Sequence, residues 1–127
     1  MRASLKFIFA ALLPLVGCNR AVDPGSDLAV HSALEPTPAR TGLETVRFTL
    51  SDSHSKPIAA ATVALEGDMS HPGMAPVFGD AKEIEPGRYT GRLTFSMPGD
   101  WVILFHVRLA NGTKVERQIE IRGVKAN

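Results

Sequence analysis

The chain predicts an all-β fold, an immunoglobulin-like β-sandwich of about seven short antiparallel strands. Three observations carry that expectation. Apolar residues recur with a period of two in segment after segment, the mark of strands with one buried face. Pro, Gly, Asn and Asp clusters interrupt the chain every 8–12 residues, the spacing of a sandwich of short strands. After residue 18 no stretch of ten residues carries a helical apolar stripe.

The elements follow in order. Leu28-Ala29-Val30 opens a first edge strand that breaks at Glu35-Pro36-Thr37-Pro38. Thr45 to Leu50 alternates cleanly and puts Val46, Phe48 and Leu50 on one face. Asp52 to Pro57 supplies turn residues before the next alternating face, Ala61, Val63 and Leu65. Pro86-Gly87 starts another unit, in which Tyr89, Leu93 and Phe95 face one way. Pro98-Gly99-Asp100 then turns the chain into Trp101, Ile103, Phe105, Val107 and Leu109. Asn111-Gly112 is the strongest hairpin signal, because both residues tolerate positive φ. It leads into a last strand at about Lys114 to Arg122, with Val115, Ile119 and Ile121 inward.

The N-terminal residues follow a different logic. Arg2 and Lys6 precede the apolar run Phe7 to Val16, and Leu15-Val16-Gly17-Cys18 ends it. A charged start, an apolar middle and small residues at the cut make a secretory leader. The run is too short for the ~20 apolar residues of a membrane-spanning helix. Leu-x-Gly-Cys resembles the bacterial lipobox, whose cysteine is lipidated and becomes the new N-terminus. The expected organisation is a signal peptide over 1–17, lipidated Cys18 with a flexible linker over 18–27, and one domain over 28–127. Asn19, directly after that cysteine, is not the acidic residue that retains many lipoproteins at the inner membrane.

Charge and cysteine content exclude several classes. Removing Arg2 and Lys6 with the leader takes the formal count from 14 basic and 13 acidic residues to 12 and 13. Without a basic stripe, nucleic acid is not an expected partner. The single cysteine is committed to lipid, so neither a disulfide nor a thiolate metal site forms within one chain. No Ser–His nucleophile pair, Gly-rich phosphate loop or recognisable carboxylate pair is present, and the chain is not expected to be an enzyme. Asp68 reads as a turn residue.

Met69-Ser70-His71-Pro72-Gly73-Met74 is the segment that carries chemistry. It places two thioethers and an imidazole in a loop tightened by Pro72-Gly73. Soft, uncharged thioether sulfur with imidazole suits Cu(I) better than Zn²⁺ or Mg²⁺. Outside the cytoplasm thiolates are drawn into disulfides and thioethers are not, although methionine still oxidises to its sulfoxide. Met97 is the remaining methionine after the leader. If Met74 to Glu85 is one irregular strand, Arg88 to Met97 runs back toward the loop and Met97 joins the set. If Phe78-Gly79-Asp80 is a full reversal, Met97 lies at the opposite end. The tripeptide looks as much like a bulge as a hairpin, which favours the first arrangement. Core packing explains Met97 equally well, since it shares parity with Leu93 and Phe95. His106 lies about 16 Å along its strand from Trp101 and on the other parity. His31 and His54 read as solvated, and Trp101 as the large core residue.

The order of these motifs resembles the YtkA-like domain, which is close to FixH-type proteins. The resemblance runs through Pro36-x-Pro38, Gly42, Asp52, Pro57, Ala61-x-Val63, Met69-x-His71-x-Gly73-Met74, Pro86-Gly87-Arg88-Tyr89 and Met97-Pro98-Gly99-Asp100-Trp101. Ser53-His54-Ser55-Lys56 departs from it, because a glycine is expected in the turn before Pro57. The resemblance implies a small β-sandwich in the periplasm or on the outer cell surface. It also implies copper handling, cytochrome oxidase assembly or metal efflux.

The expected function is therefore a lipid-anchored envelope protein that carries or buffers Cu(I) through Met69, His71, Met74 and Met97. Copper is the expected cofactor. The membrane is the expected partner through the lipid, together with copper-handling or oxidase-assembly proteins. The alternatives are a metal-free module that docks on an envelope complex through the Met69–Met74 loop, and a purely structural envelope domain.

Overall fold

The computed structural model describes residues 27–127, so the expected leader and the expected lipidation at Cys18 lie outside the described residues. Seven strands make up the fold: β1 (Ala29–Glu35), β2 (Gly42–Ser51), β3 (Thr62–Met69), β4 (Val77–Glu85), β5 (Arg88–Phe95), β6 (Gly99–Arg108) and β7 (Lys114–Val124). All strand pairs are antiparallel, in the order β1-β2-β5-β4-β3-β6-β7. The all-β class and the strand number are as expected. The hydrogen bonding differs, because the strands form one continuous sheet and not two separate ones.

That sheet folds over on itself. Phe48 of β2 meets Phe105 of β6 edge-on at 4.9 Å between ring centroids, although three strands separate β2 from β6 in the sheet. Phe95 of β5 meets Trp101 of β6 at 5.0 Å. The inward residues of β2 and β5 thus pack on those of β3 and β6. Val46, Leu50, Leu65, Phe95, Ile103 and Phe105 are completely buried. These are the alternating residues, because a period of two on a half-wet strand puts all of them on the dry face.

β4 is the crossing strand. Its first half, through Asp80, pairs with β3, and from Ala81 onward it pairs with β5. Phe78-Gly79-Asp80 is therefore a strand crossing and not a reversal, and the register irregularity falls later, between Glu83 and Glu85. The crossing draws two backbones together. A Cβ on Gly91 would stand 3.0 Å from the Asp80 carbonyl oxygen and 2.6 Å from Leu65 Cδ1, so a larger residue is crowded there.

The segments that flank β1 close onto β7 and the residue that follows it. Arg117 Nε donates to the Leu28 carbonyl at 3.0 Å near one end. Near the other, Thr41 N donates to Lys125 O at 2.8 Å and Lys125 N to Ala39 O at 3.0 Å.

Two turns differ from expectation. The β6–β7 connection is a three-residue loop in which Gly112 N donates to Leu109 O and only Gly112 has positive φ. That is a type I turn closed by a left-handed glycine, and not a two-residue Asn-Gly turn. Before Pro57, Ser55 adopts a φ of 61° where glycine was expected. Asp52 makes this tenable, because its carboxylate accepts from His54 N at 2.8 Å and Lys56 N at 2.9 Å.

Candidate metal-binding end of the domain

One end of the fold gathers the methionines. β3 leaves β4 at the Gly67↔Val77 pair but stays on β6 for two more residues, through Asp68↔Val102 and Met69↔Trp101. Met69 and Asp68 are strand residues for that reason, and the loop itself spans 70–76. Asp68 is thus not a turn residue. Ser70 prolongs the attachment: its backbone N donates to Asp100 O at 3.3 Å and its Oγ to the same oxygen at 3.4 Å. Beyond it the chain turns at Pro72-Gly73, with Gly73 at a φ of 84°.

The methionines differ in burial. Met69 faces inward with Val63 and Leu65 and is half-buried against the core. His71 is exposed, and Met74 is 37% exposed. Met97 lies in the β5–β6 turn at the same end, because β5 runs back from Arg88 to Phe95 and β6 begins at Gly99 beside Met69. The arrangement that returns Met97 to the loop end is the one the fold adopts. Its side chain is 44% exposed, so it does not continue the buried row of Leu93 and Phe95.

Gly99 and Trp101 tie the pieces together. Gly99 has a φ of 128°, and a Cβ there would lie 3.2 Å from the terminal methyl of Met69. Trp101, 1% exposed, donates its indole N–H to the Met97 carbonyl at 3.0 Å. Asp100 Oδ1 accepts from Gly123 N at 2.8 Å, which fastens the turn to the end of β7.

Glu44 was not foreseen. It is completely buried at this end of β2, opposite Leu93, with one oxygen accepting from Arg40 N at 2.7 Å and the other unpartnered. Extending the Val46–Phe48–Leu50 alternation back by two residues places it on the inner face, and that was the available signal.

The other histidines stay apart from the methionines. His106 points outward from β6, with Nε2 2.7 Å from Glu66 and Nδ1 3.5 Å from Glu116. Beside it, burial and the neighbouring Glu66 carboxylate push the Asp68 carboxyl above its usual range. His31 and His54 are exposed. Among the described residues no three His, Cys, Asp or Glu side chains are placed to hold a metal.

The YtkA-like family model matches residues 26–106. The chain belongs to the YtkA-like family. The matched segment spans β1 to most of β6 and includes both the 70–76 loop and the Met97–Trp101 turn. No curated protein shows a sequence match. Among solved structures, the ZirS C-terminal Domain superposes with a TM-score of 0.46 at 14% identity, over 97% of this chain and 86% of that one.

Proposed function

We propose that this YtkA-like protein is a lipid-anchored envelope protein that carries or buffers Cu(I) for oxidase assembly or metal efflux. The ligands are Met69, His71, Met74 and Met97. The observation that carries the reading is their gathering at one end of the fold from three separate segments. Thioether and imidazole donors suit a soft monovalent ion. Half-buried Met69 supplies a fixed donor, while exposed His71, Met74 and Met97 remain accessible to an incoming partner's ligands. Such a site suits exchange better than permanent retention.

The placement of the chain's entry supports the same reading. Ala29 pairs with Ser51, at the far end of β2 from Gly42, which pairs with Phe95. Nine strand steps at ~3.3 Å separate those ends by roughly 30 Å. The first strand therefore starts at the end opposite the methionines, so a tether entering there need not cover them.

The test is a competition titration of residues 19–127 with Cu(I) against a chromophoric chelator, beside the Met69→Leu/His71→Ala/Met74→Leu variant. One equivalent bound by the wild type and lost in the variant is the expected result. Equal, weak binding by both overturns the reading. The 44% exposure of Met97 and 37% exposure of Met74 favour a second reading, a metal-free docking loop. In that case partner capture tolerates His71→Ala and is lost when Met74 becomes polar.

A further inference from the structure

We infer that Trp101 is the positioning residue of this end of the domain, holding Met97 in place beside Met69. The inference rests on the copper reading above. Three contacts carry it.

The first is the bond from Trp101 Nε1 to the Met97 carbonyl, 3.0 Å long and reaching four residues back across the Pro98-Gly99 turn. Met97 lies outside the strands, and this bond fastens its backbone to a core side chain. The second is register. Trp101 is the cross-strand partner of Met69, and both face inward. One residue therefore serves both methionine-bearing segments, the last residue of β3 and the turn before β6. The third is space. Gly99 leaves room for the Met69 methyl, from which a Cβ there would stand only 3.2 Å. Phe95 packs against the indole with ring centroids 5.0 Å apart and the planes tilted by 55°.

The indole thus does more than fill the core. A phenyl ring at this position would still be apolar and buried, but it could not donate to Met97. Groups that orient a ligand without touching the ion typically change metal affinity by about 10-fold or more when removed.

Trp101 is the only tryptophan in the chain, which permits a clean test. Biosynthetic replacement of tryptophan by β-(3-benzothienyl)alanine exchanges the N–H for sulfur and keeps the bicyclic shape. Cu(I) affinity of the full chain is measured by chelator competition for the wild type, the substituted protein, Met97→Leu and the combination. Trp101→Phe, alone and combined with Met97→Leu, is the second route should the analogue-labelled chain not fold. The expected result is about a tenfold loss on removing the N–H. In the Met97→Leu background the same change costs nothing further, because the tryptophan acts through Met97. A merely structural role predicts an equal loss in both backgrounds, and that result overturns the inference alone. A wild type without Cu(I) affinity overturns the copper reading and this inference with it.

Discussion

Gly79 passes so close to Arg92 that a Cβ on it would stand 2.0 Å from the Arg92 carbonyl oxygen. The contact lies where β4 exchanges β3 for β5, and backbone cannot yield as a flexible side chain can. Gly79→Ala therefore displaces β4 from one of its two partners. The expected cost is at least about 3 kcal/mol, larger than the ~1 kcal/mol centre of ordinary substitutions. Chemical denaturation measures it, and amide exchange should accelerate first across β4.

Glu44 invites a different outcome from most surface glutamates. Truncation in Glu44→Ala removes the acceptor from Arg40 N and leaves a cavity in the core. The loss of a hydrogen bond that satisfies a part-buried donor costs ~1–3 kcal/mol. The Ala39–Thr41 connection to Lys125 should loosen with it, read as faster exchange of Thr41 and Lys125 amides.

Much of the fold was legible because one face of each strand is dry. Val46-Phe48-Leu50 and Trp101-Ile103-Phe105-Val107 alternate without exception, and all seven are buried, whereas Ala61, Leu109, Val115, Ile119 and Ile121 are only partly so. β4 resists this reading. Its two halves belong to different neighbours, and its residues are exposed or half-buried, so no continuous apolar face marks it. At the methionine end, reading Phe78-Gly79-Asp80 as a bulge and not a reversal returned Met97 to the loop. The extension of β3 through Met69 was not visible, because it depends on pairing with β6 after β4 has departed. Glu44 was hidden for the opposite reason: a carboxylate in an apolar row looks like a strand end until the Arg40 amide that receives it is known. The Trp101–Met97 bond depends on the orientation of one indole, which no periodicity encodes.

Methionine substitutions should separate folding from ion binding. Met69→Leu exchanges two apolar residues of similar volume against the core, a change that usually costs less than ~1.5 kcal/mol. Met74→Leu and Met97→Leu alter exposed side chains and should move stability by no more than about 0.5 kcal/mol. Thermal melts of the three variants without metal check this. On the copper reading, all three nevertheless weaken Cu(I) binding, so stability and affinity should not fall together.

Asp68 should confer a pH-dependent penalty. Its carboxyl is held above the usual range first by desolvation and then by Glu66. The folded state therefore keeps the proton to higher pH than the unfolded chain does. Stability from this group is full below the ordinary aspartate range and is lost as pH rises through the folded value. Asp68→Asn should stabilise the protein at neutral pH and give no advantage in acid. Denaturation of both proteins at several pH values between acid and neutral measures the difference; a constant gap would contradict the assignment.

Tyr89 offers the reverse side of the scale. Its hydroxyl donates to Ile58 O at 2.9 Å and accepts from Ala61 N at 3.2 Å, and burial pushes its ionisation up to about 12. It is the only tyrosine in the chain, so ultraviolet titration of phenolate absorbance follows it alone. Little phenolate should appear near pH 10, where an exposed tyrosine is about half ionised. Because the folded value is raised, the stability tied to the neutral phenol is intact below the unfolded value near 10. It is lost as pH rises toward 12. Tyr89→Phe removes both hydrogen bonds at any pH and should cost about 1–3 kcal/mol. It should also abolish the part of the alkaline stability loss that belongs to this phenol. Persistence of the full alkaline loss in Tyr89→Phe would assign it to other groups.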